Sequence, residues 1–189
     1  MEKRVRELID KLANITNNII FSGYKYPKGL SLEEALENVG VEVRYFNDTD
    51  LDGFLRWDRN NEKPIISVNA NQAEVRRNFS MAHELGHLII DYGWVPFSNN
   101  KNLNHGEDIL NVTKYRGAHY TAEERKEEKI VDEFAAGFLI PNDKLKKMID
   151  KTEMSDISYQ GLSEQIAEKF NVSYQAASIR LDNFVDLQV

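Results

Sequence analysis

Apolar positions recur along this chain with periods that switch several times, and the switches delimit its elements. From Val5 to Ile20 the spacing is that of an amphipathic helix. Ser31-x-x-Glu34 is a capping box that opens a second, short helix ending at Gly40. Val41 to Phe46 then alternates as a strand, and Gly53 to Trp57 and Ile65 to Val68 add two more around the polar turn Asp58 to Lys63. Together they predict a small antiparallel sheet. In the next stretch Val75, Phe79, Ala82, Leu85, Gly86 and Ile89 return to helical spacing. A further helix opens at the capping signal Thr121-x-x-Glu124, carries Ile130, Val131, Phe134, Ala135, Phe138 and Leu139 on one side, and is stopped by Pro141. Near the end, Leu162 to Phe170 and Ser173 to Leu181 read as two short helices joined at Asn171-Val172, in the manner of a helix-turn-helix.

Chemistry concentrates on the first of the two long helices, in Ser80-Met81-Ala82-His83-Glu84-Leu85-Gly86-His87. Residues four apart project from one helix face, so the imidazoles of His83 and His87 can reach a single ion. Glu84 is rotated by about 100° from His83, which keeps its carboxylate off the ion but within reach of a water attacking there. His-Glu-x-x-His of this kind marks a zinc peptidase, with Glu84 as general base. A catalytic zinc takes three protein ligands, and the third has to come from elsewhere. Glu128, on the helix that starts near Glu123, is the candidate. Asp132 lies one turn further along the same face, placed to accept the ring N–H of a ligand histidine. Glu127 and Glu124 are the rivals, within a cluster of acids that a helix start also favours on its own account.

These residues together resemble a known family. Arg77-Asn78-Phe79-Ser80-Met81-Ala82-His83-Glu84-Leu85-Gly86-His87 and the later Glu128-x-x-x-Asp132-x-Phe134-Ala135-Ala136-Gly137-Phe138-Leu139-Ile140-Pro141 are similar to the two motif helices of the ImmA/IrrE zinc metallopeptidases. Gly53-Phe54, Pro64 to Asn69 and the C-terminal run from Leu162 to Leu181 resemble the segments that flank them. The family's second Glu falls on Ile130 and its Asn on Asp132. Ile130 binds no metal, so the resemblance leaves the ligand role to Glu128. It implies a proteolytic anti-repressor that cleaves a helix-turn-helix repressor of a mobile element, prophage or stress regulon. The alternatives are a non-catalytic or toxin–antitoxin-type regulator that acts by binding such a partner. Donors for an oxyanion are sought just upstream of Glu128, at Tyr115, Arg116, His119 and Tyr120. His105 reads as a solvent-exposed loop histidine.

Composition narrows the chemistry further. Among 189 residues there are four histidines and no cysteine, which leaves imidazole and carboxylate as the zinc donors, with manganese as the alternative ion. The net charge is −7, and residues 155–189 carry five acids against Lys169 and Arg180. Phosphate backbones are repelled by such a balance, so a protein substrate is expected and direct nucleic-acid binding is not. No run of eighteen apolar residues and no apolar signal core is present, from which a cytoplasmic protein without a membrane span is expected. The expected architecture is α+β, a small antiparallel sheet packed against a helical zinc-peptidase core with a C-terminal helical extension. The peptidase domain would take residues 1–150 and the extension 151–189, with the boundary at Lys151 to Ser158. Residues 98–117, rich in Asn, read as a long loop.

Overall fold

The computed structural model describes residues 1–24, 29–58, 60–98, 110–112, 121–151 and 157–188. In chain order the elements are α1 (Lys3–Ile20), α2 (Leu32–Asn38), β1 (Glu42–Phe46), β2 (Gly53–Asp58), β3 (Lys63–Asn69), α3 (Glu74–Ile90), β4 (Leu110–Val112), α4 (Ala122–Leu139), α5 (Asn142–Ile149), α6 (Tyr159–Phe170) and α7 (Tyr174–Gln188). Both capping signals form as reciprocal boxes: Ser31 with Glu34 at α2, and Thr121 with Glu124 at α4. Each satisfies backbone N–H groups that a helix start leaves without partners. Asn171 closes α6 in the left-handed conformation, at φ 53°, which a short polar side chain tolerates.

The strands lie in the order β1-β3-β2-β4. The expected antiparallel sheet is in fact mixed, because β1 runs parallel to β3 while β2 pairs antiparallel with both β3 and β4. Alternation of apolar residues carries no information on strand direction; the loop after β1 does. Residues 47–52 carry the chain across the end of β3 to its other side. Asn69, the last residue of β3, holds them there by donating to the carbonyls of Asp48 at 2.7 Å and Leu51 at 2.8 Å. β4 lies in the segment read from sequence as loop, whose other residues from 99 to 109 and 113 to 117 fall outside the described ones. The proposed boundary at 151–158 is also mostly outside them.

Helix α4 runs through the middle of the molecule, between α1 and α3. Phe134, Ala135 and Phe138 are fully buried, and the Phe134 and Phe138 rings stack 6.1 Å apart. Burial of each such ring contributes about 1.5–3 kcal/mol. Gly86 is what lets α3 approach α4 so closely, since a β-carbon there would stand 2.8 Å from Cγ1 of Val131 and 3.0 Å from Cδ1 of Phe134. A close contact of the two helices therefore falls inside the His-Glu-x-x-His segment. The short α5 was not expected: Pro141, read as a stop, is also its N-cap, and two buried residues, Leu145 and Met148, are too few to set a period.

Candidate metal centre

The face of α3 carrying His83 and His87 is turned toward α4, and both histidines are buried. Nε2 of His83 is 3.1 Å from Nε2 of His87 and 3.3 Å from Oε2 of Glu128, and that oxygen is 3.9 Å from Nε2 of His87. Among the described residues these three form a group able to hold a metal ion. A point equidistant from three atoms so spaced lies about 2 Å from each, which is the length of a zinc bond to imidazole or carboxylate. Glu124 and Glu127 are not in this group.

Each imidazole is oriented from behind by a carboxylate. Nδ1 of His83 donates to Oδ1 of Asp132 at 2.9 Å, and Nδ1 of His87 donates to Oδ2 of Asp91 at 2.7 Å. With Nδ1–H committed in this way, both Nε2 atoms face the common point as acceptors, together with a carboxylate oxygen. Three acceptors converging on one point require a positive charge between them. Burial alone would lower the pKa of His83, but its hydrogen bonds to Asp132 and Glu128 outweigh that and hold it up at about 10. The donor set fits a divalent ion.

Glu84 is fully buried, and neither carboxylate oxygen has a hydrogen-bond partner among the described residues. It lies against β2, where a β-carbon on Gly53 would stand 3.6 Å from Oε1. Burial is the main cause that pushes its pKa up to about 8, assisted by Glu128 and opposed by His83. A buried carboxyl without donors is costly unless something charged or polar faces it. This one sits next to the convergent ligand atoms.

Residues 36–182 match the profile of the IrrE N-terminal-like domain, a peptidase family. The chain belongs to that family. It is also similar in fold to a Mycobacterium tuberculosis transcriptional regulator, with a TM-score of 0.54 and 14% identity over 95% of this chain. The chain spans 51% of that regulator's length. No curated protein matches it.

Within this peptidase-family chain, Asp91 is the site residue that sequence reasoning passed over. Its signal was available, since it stands four residues after His87 on the same helix face. Tyr115, Arg116, His119, Tyr120 and His105 lie outside the described residues. Among the described residues no helix is long and apolar enough to cross a membrane.

Proposed function

We propose that this chain is a metal-dependent endopeptidase in which His83, His87 and Glu128 hold zinc and Glu84 handles the proton. The observation that carries the reading is the state of Glu84, a fully buried carboxyl with no hydrogen-bond partner among the described residues, beside three convergent ligand atoms. A zinc ion, when bound, supplies Lewis acidity for attack on a peptide carbonyl. Glu84 takes one proton from the attacking water as its oxygen bonds to the carbonyl carbon, then delivers that proton to the leaving amine nitrogen as the C–N bond breaks. Asp132 and Asp91 keep the two imidazoles in the tautomer that turns Nε2 inward.

For the substrate, the family resemblance supports a helix-turn-helix repressor, and a chain of net charge −7 would meet such a basic protein faster than an acidic one. The helical pair α6–α7 is a poor phosphate binder, because Arg180 is fully buried and Lys169 is its one exposed base. It is better suited to packing or to docking a protein.

Co-expression with candidate helix-turn-helix repressors tests the reading, with Glu84→Gln as the control and zinc content measured in both. A cleaved repressor that appears with the wild type and not with Glu84→Gln, at equal zinc content, is the expected result. Equal zinc without cleavage by either would favour the regulator that acts by binding.

A further inference from the structure

A groove lies between the start of α3 and the start of α7. Val172, Ala176 and Ile179, at steps of four and three, supply one wall, and Val75 and Phe79 supply the other. Leu139, at the end of α4, forms the floor of a cavity of about 340 Å³, a size that ligand pockets reach. Leu139 and Val172 are buried, whereas Ile179 at the lip is 50% exposed. Arg76 at the rim is paired with Asp52, and no other charged side chain lines the groove among the described residues. An apolar group therefore suits it better than an ion.

The groove continues the rows that carry the metal ligands. Val75, Phe79, His83 and His87 succeed each other every four residues along one side of α3, and the Phe79 ring centroid is 6.4 Å from that of His83. On α4, which runs the other way, Asp132 meets His83, while Leu139, seven residues on, shares the groove with Val75 and Phe79. Groove and metal centre thus occupy the same side of the α3–α4 pair. At about 1.5 Å per residue, Phe79 and Val75 stand about 6 and 12 Å along the helix from His83. An extended polypeptide covers that span in about two to four residues. We infer that the groove receives an apolar side chain of the substrate polypeptide, about two to four residues from the bond that is cut, with α7 as one wall of the cleft. This rests on the peptidase reading of the site and assigns the C-terminal helical pair a part in choosing the substrate.

Random-sequence decapeptides test the inference through two readouts. Retention on the immobilised Glu84→Gln chain reads the groove without cleavage, and mass spectrometry of the cuts made by the wild type reads the spacing. Retained peptides are expected to be enriched at least about tenfold in Leu, Ile, Met or Phe, as one apolar pocket discriminates. Added to Glu84→Gln, Ala176→Trp, which fills the groove, and Ile179→Glu, which charges its lip, should each abolish that enrichment. Both side chains border open space, so the thermal midpoint should stay close to that of the parent chain. Cuts by the wild type should fall at a fixed spacing, about two to four residues, from such an apolar residue. Retention without apolar preference, an enrichment that neither substitution alters, or cuts that ignore apolar residues at that spacing would overturn the proposal. In the last case the peptidase reading would stand. An enrichment that both substitutions abolish, with no cut by the wild type, would instead keep the groove and sink the peptidase reading.

Discussion

Two buried polar clusters flank α4, and they are assembled in opposite ways. On the α3 side, His83, His87 and Glu128 bring acceptors together with Glu84 beside them, and no side-chain cation closes the group among the described residues. On the α1 and α7 side, the fully buried guanidinium of Arg180 is ringed by acceptors. Its Nη1 is 2.6 Å from Oδ1 of Asp10 and 3.4 Å from Oε1 of Glu133, its Nε donates to the carbonyl of Ile140 at 3.1 Å, and its Nη2 donates to Asn142 at 2.9 Å. Glu133 also accepts from Asn183 at 3.0 Å, and Asp10 from Asn142 at 3.0 Å. Burial nevertheless raises the pKa of Glu133, with Arg180 pulling it back. The second cluster is closed by its own charges and fastens α7 to α1 and α4. The first has no such counter-charge among the described residues. Glu133 stands one residue after Asp132, about 100° further around α4, so a single helix serves both.

Substitutions can break this contrast, and the largest effect falls on the open cluster. Glu84→Gln is expected to lower kcat/KM on a cleaved repressor by about 10²–10⁴-fold while leaving metal content unchanged, since it removes the proton carrier and no ligand. A gel-based cleavage assay with metal analysis reads both. In the closed cluster Arg180→Met should cost about 3–5 kcal/mol in urea unfolding, because Asp10 loses its buried counter-charge and Glu133 keeps only the partly exposed Arg6, 3.8 Å away. Replacing Arg180, Asp10 and Glu133 together by apolar residues should recover much of that loss; if it does not, the cluster contributes more than mutual neutralisation. Asp132→Asn and Asp91→Asn should each weaken zinc binding by about 10–100-fold in a chelator competition, with little change in folding. The smallest effect is expected at Gly137, where an added β-carbon would lie 3.0 Å from Oδ1 of Asp10 and 3.3 Å from Nη2 of Arg180. Gly137→Ala should cost about 1 kcal/mol in thermal unfolding and leave zinc affinity unchanged.

The open cluster was the more legible of the two in sequence, for a physical reason. Its residues lie within two helices, so helical spacing alone places His83, Glu84 and His87, then Glu128 and Asp132, on their faces. The motif resemblance then brings the two helices together. Asp91 obeys the same spacing and was missed only because it follows the motif. Arg180, Asp10 and Glu133 come from three helices far apart in the chain, and each reads alone as an ordinary surface charge. Their pairing depends on how α7 is laid across α1 and α4, which no local period encodes. The same limit hid the parallel β1–β3 pairing, which is decided by a loop crossing held by Asn69.

Zinc titration of the metal-stripped chain tests most directly whether the open cluster is a metal centre. Wild type should take up one equivalent, and His83→Ala and Glu128→Ala should each lose that high-affinity site while keeping the wild-type circular dichroism. Failure of the wild type to bind a divalent ion, or uptake unaffected by either substitution, would contradict the account.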